Sequence, residues 1–285
     1  MSSYRFCRTD DVSLLVDALN RCWSPYFPEE PAVTPASFKR SIRDLQVWCS
    51  SCMVAFVGPD PIAVLIGAKR PSGTLIHKIA VHPDHARQGH GRHLLTSLSS
   101  KLAILGPPRM VAEVPDTFTA AGALFSACGY VEEAVLTDYV LEQTEHGSGV
   151  GVEGFVIPVS IDDLAANGLL GEEHAQVCWE RSVETLTARK DELGGLAAAS
   201  DERIEAYLLY VDRGLEEAEI VSLRSFVDDG GARLAQLFSQ LRARGIMTFR
   251  LPKVHPEELS TELMEMLGFR SAGRYRLYAA RAQSN

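Results

Sequence analysis

The stretch Leu75-Ile-His-Lys-Ile-Ala-Val-His-Pro-Asp-His-Ala-Arg-Gln-Gly-His-Gly-Arg-His-Leu-Leu95 constrains the fold of this chain more than any other. Thr74–Val81 has the β-branched, apolar content of a strand, entered through a Pro71-Ser72-Gly73 turn and ended by His82-Pro83. A short loop then carries Gly89 and Gly91, and a helix opens at once over Gly91–Leu105, with Leu94, Leu95, Leu98 and Leu102 on one face. Glycine at both loop positions lets the backbone approach a ligand and aim successive N–H groups into a concavity. Backed by the helix dipole, those donors form a pyrophosphate cradle, to which Arg87 and Arg92 add charge-assisted bonds. A bare Gly-x-Gly before a helix is often only a tight turn. The order strand, Val-His-Pro, loop, Gly-x-Gly, helix narrows the reading to the cradle.

Around this stretch the first half reads as alternating strands and helices. Tyr4–Arg8 is a short strand, and Thr9-Asp10-Asp11 supplies an N-cap and acidic first turn for a helix through Leu19. Trp23–Pro35 is a loop rich in proline and aromatics, followed by a helix from Ala36 to Leu45. Val47–Val57 and Ile62–Lys69 are strands joined by a Gly58-Pro59-Asp60-Pro61 turn. Met110–Val114 is a strand, Thr119–Ala127 a helix ended by Gly129, and Tyr130–Leu141 a last strand or strand pair. Residues 144–154 have the glycine-rich, aperiodic composition of a linker.

The second half runs in a similar order. Phe155–Val159 reads as a strand, Ile161–Leu193 as helical, Ile204–Val211 and Glu219–Phe226 as strands, and Ala232–Arg244 as a helix. Ile246–Leu251, Pro256–Leu267 and Arg274–Ala280 complete it as strand, helix and strand. Ser126-Ala-Cys-Gly129-Tyr130 and Glu265-Met-Leu-Gly268-Phe269 are each a helix end, a glycine and an aromatic opening the final strand. A divergent tandem duplication explains this: domains at 1–143 and 155–285 joined by the 144–154 linker.

Val81, Pro83, Gly89, Gly91 and Leu94-Leu95 resemble the acetyl-CoA motif of the GNAT N-acetyltransferase superfamily, a strand ending near V-x-P followed by Q/R-x-x-G-x-G/A. The order of elements through Gly129-Tyr130 is similar to the GNAT fold across the first half. The fold class this implies is α/β: two tandem GNAT-like domains, each a mixed, mostly antiparallel twisted sheet flanked by helices, with a mycothiol-synthase-like domain plan. The resemblance implies acetyl-CoA as cosubstrate, transferred to a primary amine of a small molecule or peptide by direct attack. It places Ile79, Ala80 and Val81 along the pantetheine arm, and Arg87, Gln88, Gly89, His90, Gly91 and Arg92 around the pyrophosphate, with Phe125 beside the cofactor. It also implies that the Ile79 N–H faces the thioester oxygen, a backbone donor that needs no particular side chain. The chain departs from the pattern at Ala86, where Gln or Arg is usual, at Phe125, where many members carry a Tyr acid, and at Phe118, where an Asn often holds the cofactor arm.

Amine acetylation needs a neutral nucleophile, and an alkylamine ionises near pH 10, so a base or water chain assists. His77 is the first candidate: strand alternation puts it on the face of Ile79 and Val81, and it matches a strand histidine that serves as a water-linked base in the arylalkylamine branch of the family. A hydrogen-bonded interior histidine is the competing reading. Glu113 on the next strand is the second candidate, against a solvated strand-end carboxylate. His82, His85, His90 and His93 read as exposed loop and helix residues. The resemblance places the acceptor site at Trp23, Tyr26 and Phe27, which serve equally well to seal a sheet edge.

The 285 residues carry a net charge of −9, which disfavours nucleic acid as a partner. No run approaches the roughly 18 apolar residues of a membrane helix, and the N-terminus lacks a signal-peptide pattern, so the expectation is a cytoplasmic monomer or homodimer away from the membrane. Cys49-Ser-Ser-Cys52 lacks a second Cys-x-x-Cys, and a strand would point its thiols to opposite faces, so no metal is expected. In the second half, Val227-Asp-Asp-Gly-Gly-Ala-Arg has glycines but no V-x-P, and Asp228 and Asp229 would repel pyrophosphate. Met264 stands four residues before Gly268. This half is expected to bind no acetyl-CoA and to complete the substrate cleft or stabilise the first domain, with Trp179, Tyr207 and Tyr210 as its core or as its contribution to that cleft. The alternative function is a catalytically weak GNAT pseudoenzyme acting as an acetyl-CoA sensor or scaffold.

Overall fold

The structure, a computed structural model, describes residues 2–142, 155–170 and 177–283. In chain order it contains β1 (Ser2–Phe6), α1 (Val12–Cys22), α2 (Pro35–Leu45), β2 (Met53–Val57), β3 (Asp60–Arg70), β4 (Gly73–Val81), α3 (His90–Leu105), β5 (Arg109–Pro115), α4 (Thr119–Ala127) and β6 (Val131–Glu142). The second half adds β7 (Phe155–Pro158), α5 (Ile161–Ala166), α6 (Val183–Ala188), β8 (Gly194–Ala199), β9 (Ile204–Gly214), β10 (Glu217–Ser225), α7 (Ala232–Ala243), β11 (Thr248–Val254), α8 (Thr261–Met266) and β12 (Arg270–Arg281).

Two compact units result, Met1–Ala134 with Arg276–Asn285, and Val135–Tyr275. In the first, the strand order is β1-β2-β3-β4-β5-β12, with β12 contributing its C-terminal half. In the second, the order is β12-β6-β11-β10-β9-β8-β7, with β12 contributing its N-terminal half. β4–β5 and β10–β11 pair in parallel, and the pairs β1–β2, β2–β3, β3–β4, β7–β8, β8–β9 and β9–β10 are antiparallel. The units therefore divide inside β6 and β12, not in the 144–154 segment, which lies outside the described residues. The reason is that the last strand of the sequence is shared between units: its Tyr278 ring stacks on Phe125 and the Ala282 N–H donates to the Pro108 carbonyl.

In the first unit, Leu94, Leu95, Leu98 and Leu102 of α3 pack with Ile76, Met110, Ala112, Val114, Phe125 and Tyr130 into one core layer. The buried side of α1, Leu15, Val16, Ala18 and Leu19, lies on β3. The second unit has a core of the same kind, with Leu234, Leu237, Phe238 and Leu241 of α7 against Leu208, Ile220 and Phe249. Tyr210 is half-buried against this core, Tyr207 is buried in a second cluster with Ile161, Leu186 and Val221, and Trp179 is buried.

Several elements differ from expectation. Asp11 precedes α1 but caps nothing; its carboxylate accepts from the Arg5 guanidinium and the Arg8 N–H. α2 is closed instead by a Thr34–Ser37 capping box with Pro35 in the first turn. The expected strand over Val47–Val57 is interrupted by a single 3-10 turn at Cys49–Ser51, so strand alternation does not govern Cys49 and Cys52; both thiols are buried and unpaired as disulfides. Burial raises the pKa of each, which keeps them as inert thiols. The long helix expected over Ile161–Leu193, part of which lies outside the described residues, is broken into α5, α6 and 3-10 turns at Trp179–Arg181 and Lys190–Glu192. Ser160 and Ser182 cap new starts there. The helix expected over Pro256–Leu267 shrinks to Thr261–Met266, started by Ser260. No helix among the described residues is long and apolar enough to cross a membrane.

Candidate active site

The site is built where β4 and β5 part. Their ladder holds only Thr74↔Met110 and Leu75↔Val111. Beyond it, Ile76–Val81 of β4 and Ala112–Pro115 of β5 diverge into a cleft. The backbone polarity on the β4 wall follows from its other edge. The His82 N–H donates to the Ile62 carbonyl of β3 at 2.8 Å. N–H and C=O groups alternate sides along a strand, so Ala80 faces β3 while Ile79 and Val81 turn their amide groups into the cleft. The Tyr26 hydroxyl donates to the Val81 carbonyl at 2.7 Å, from the cleft side. Ile79 and Val81 thus turn their backbone groups away from β3, and Ala80 belongs to the β3 ladder.

α3 begins above the end of this cleft. Gly89 is its N-cap in the left-handed conformation, φ +87°, with no side-chain cap. The first intrahelical bond runs from the His93 N–H to the Gly89 carbonyl, which leaves the amides of His90, Gly91 and Arg92 without helical acceptors. Gly91 is needed for a different reason: a Cβ there would meet Leu124 Cδ2 of α4 at 2.9 Å. Arg87 also takes a positive φ, +63°, and Ala86, Arg87, Gln88 and Arg92 are exposed around the amides. This donor set, with its two arginines, suits a pyrophosphate.

His90 departs from the expected exposed histidine. It is 5% exposed, with its Nδ1 2.6 Å from the Tyr4 hydroxyl of β1 and its Nε2 buried without a hydrogen-bond partner. Desolvation first, then the nearby His85 and His93, lower its pKa, so the ring is held neutral. His82 and His85 are half-buried and His93 is exposed, its ring tilted against Tyr4. Phe125 is buried in the core, edge-on to Tyr130 and stacked with Tyr278, where no hydroxyl is offered to the cleft.

The β4 wall contains a β-bulge that changes the catalytic reading. The register runs Ile66↔Lys78 and then Gly67↔Ile76, so His77 is the extra residue. Ile76, Ile79 and Val81 all pack with the α3–α4 core, and Lys78 lies with Trp23 on the opposite side. Strict alternation fails at His77, and with it the argument that set His77 on the face of Ile79. His77 and Glu113 are both half-buried. Glu113 alternates with Met110, Ala112 and Val114 of the core, so it projects toward the Lys78 face.

Trp23, Tyr26 and Phe27, expected from sequence at the acceptor site or as a seal of the sheet edge, lie together beside β4. Trp23 stacks on Phe27 with ring centroids 4.2 Å apart, and Phe27 stacks on Phe118 at 4.9 Å. The stack runs from the loop after α1 to the β5–α4 connection, across the C-terminal ends of β4 and β5. Glu30, Lys78 and Phe118 belong to this group, and sequence reasoning did not select them as acceptor residues. The Trp23 indole N–H donates to Glu30 Oε2 at 3.0 Å, and Lys78 Nζ is 3.4 Å from the same oxygen and 3.9 Å from the Trp23 ring centroid.

The second unit repeats this architecture and fills it from within. The β10–β11 ladder also stops after three pairs, ending at Glu219↔Arg250. Beyond it the Arg181 guanidinium, 4% exposed as a residue, donates to the Pro252 carbonyl of β11 and pairs with Glu258. α7 likewise starts from a left-handed glycine, Gly231 at φ +81°. Here the Asp229 carboxylate accepts from the amides of Gly231 and Arg233 at 2.9 and 2.8 Å. Asp229 is therefore the cap of α7, a more specific role than the charge repulsion read from sequence. Met264 is buried.

Each unit thus carries a parted parallel strand pair beside a helix that starts from a left-handed glycine. Residues 13–130 match the model of the acetyltransferase (GNAT) family, and the chain has the tandem GNAT fold. A GCN5-related N-acetyltransferase from Sphaerobacter thermophilus superposes with a TM-score of 0.69 at 14% identity, over 99% of this chain and 96% of that one. A tandem GNAT protein from the clavulanic acid biosynthesis pathway superposes over 100% of both chains, at 16% identity and a TM-score of 0.66. The glucosamine N-acetyltransferase region of a fungal multi-domain GH3 β-N-acetylglucosaminidase gives a TM-score of 0.72 at 12% identity, over 98% of this chain and 38% of that one. At these identities the likeness is one of fold. Among curated proteins no sequence matches.

Proposed function

We propose that this protein is an acetyl-CoA-dependent N-acetyltransferase with one working site, in its first unit, acting on a primary amine of a small molecule or peptide. The observation that carries the reading is the parted β4–β5 edge lying directly below the uncapped amides of α3. Acetyl-CoA supplies a thioester acyl donor. Arg87, Arg92 and the amides from Gly89 to Arg92 hold its pyrophosphate, with Gln88 and the His90 backbone in the same loop. Val81 holds the pantetheine arm through its backbone, and the Ile79 N–H stabilises charge on the acyl oxygen. Trp23, Tyr26 and Phe27 border the acceptor. Tyr26, whose burial raises its pKa, must give up the Val81 carbonyl when the arm enters. His77, at the bulge, and Glu113 of β5 are the candidates to accept a proton from the acceptor amine.

Direct attack needs no side-chain acid for a leaving thiol with a pKa near 8.5, so a buried Phe125 is compatible with turnover. The same Phe125 is what favours the sensor or scaffold reading. The second unit is expected to bind no acetyl-CoA, because Asp229 and Arg181 already occupy the cap and the cleft.

Calorimetric titration with acetyl-CoA tests the reading. One site per chain is expected, and Gly89→Val, strained at φ +87°, should weaken it by about tenfold or more, the equivalent of roughly 1.4 kcal/mol or more. Two sites per chain would refute the self-filled second unit, and absence of binding at millimolar ligand would sink the enzyme and sensor readings together. Binding without acetyl-CoA consumption across an amine panel would select the sensor.

A further inference from the structure

The acceptor side of the cleft contains a carboxylate already. Glu30 Oε2 receives the Trp23 indole N–H at 3.0 Å and the Lys78 ammonium at 3.4 Å. Two donors from separate elements converge on one oxygen, and the occupant comes from an exposed loop position. Lys78 is there because of the bulge: the extra residue at His77 reverses the phase of β4 and turns the following side chain out of the α3 core toward the loop. Its side chain is 20% exposed, with the ammonium over the Trp23 face. That partly desolvated cation sits one residue from Ile79, the residue whose amide faces the cleft.

We infer that Lys78 and the Trp23 indole form a carboxylate-binding subsite in the acceptor pocket, that Glu30 is its resident stand-in, and that the acceptor is an amino-acid-like amine. The inference rests on the transferase reading above and names the substrate class of that site. Three features fit such an acceptor. Lys78 and the indole N–H take its carboxylate, displacing Glu30, which is exposed enough to swing away. The Trp23–Phe27–Phe118 stack borders the same spot and takes an apolar or aromatic side chain. Glu113, projecting from β5 to the same face, complements the ammonium before it loses its proton.

Binding of two N-acetylated probes to the full chain decides the matter without relying on turnover. N-acetylphenylalanine carries the carboxylate; N-acetylphenethylamine differs only in lacking it, and neither carries an amine charge. Calorimetry on the wild type should show the carboxylate probe binding about tenfold tighter, the size of a partly shielded charge-assisted contact. Lys78→Met keeps an apolar stem over Trp23 and should erase that difference. Glu30→Gln, isosteric and at the surface, removes the competing charge and should widen it by a further few-fold. The opposite signs of the two variants are the signature, since a mere surface ion pair would give neither. Equal affinities of the two probes for the wild type, or Lys78→Met weakening both probes alike, would overturn the inference. Acetyl-CoA titrated into the same wild-type sample reports on the Gly89 cradle alone, so failure there falls on the proposed function and leaves the probe comparison standing on its own.

Discussion

His90 shows how one residue in a legible motif takes its character from a partner far along the chain. Gly89 and Gly91 could be read directly, because a left-handed cap and a close helix contact both demand glycine. Nothing near position 90 announces that its ring turns inward to Tyr4, 86 residues earlier. The Tyr4 hydroxyl can donate to Nδ1 only in the neutral tautomer protonated at Nε2, and the folded-state pKa is lowered by burial. The sign follows. The unfolded chain binds the proton more readily, so the stability that His90 contributes is present above its unfolded pKa of about 6.5 and is lost as pH falls through the lower folded value. Thermal melts between pH 7.5 and 5 should therefore show a decline that His90→Asn flattens; an unchanged slope in that variant would place the titrating group elsewhere. His77 was misread for a related reason: a one-residue bulge leaves no trace in the sequence pattern, yet it resets which face every later side chain of β4 occupies.

At the scale of elements, strands and helices with β-branched or leucine-periodic sequences were readable, and those whose partners define them were not. β8, Gly194-Gly-Leu-Ala-Ala-Ala199, has almost no strand propensity, and it forms because β7 and β9 flank it. Its glycines leave room for neighbours: a Cβ at Gly195 would lie 2.2 Å from the Val159 carbonyl oxygen. The single long helix read over 161–193 failed because serine caps start new turns within it. α4 carries the same kind of hidden dependence. Gly122 lies in mid-helix, where glycine costs about 1 kcal/mol relative to alanine, and a Cβ there would come 2.9 Å from the Tyr278 hydroxyl. That ring is buried and stacked on Phe125, so it has little room to retreat. Gly122→Ala should destabilise by about 1–3 kcal/mol despite the better helix propensity. Tyr278→Phe removes the clashing oxygen, so the double variant should recover most of the loss. Chemical denaturation of the four proteins closes the cycle, and additive losses would show that the hydroxyl is not the obstacle.

The duplication was legible from element order alone, because the glycine–aromatic signature recurs at Gly129-Tyr130 and Gly268-Phe269. The boundary of the folded units was not, since composition marks a linker and says nothing about which strand completes which sheet. The first unit takes Arg276–Asn285 into its own body. Arg276 pairs there with Asp116 and Glu132, Tyr278 closes the aromatic layer, and the Gln283 N–H donates to the Ser99 hydroxyl. A fragment cut at the compositional boundary, residues 1–143, would leave the β5 edge without its neighbour and Phe125 without its stacking partner. Unpaired edges of this kind favour association and loose packing. The fragment is thus expected to give poorly dispersed amide spectra and a broad melt. Joining residues 275–285 to it through a flexible glycine-serine linker should restore a dispersed spectrum and a cooperative transition. It should also restore the acetyl-CoA binding proposed for the first unit, because Phe125 belongs to the core layer beneath α3 and α4. A dispersed spectrum and sharp melt from residues 1–143 alone would mean that the shared strand is dispensable, and that the first unit is complete within its own half of the sequence.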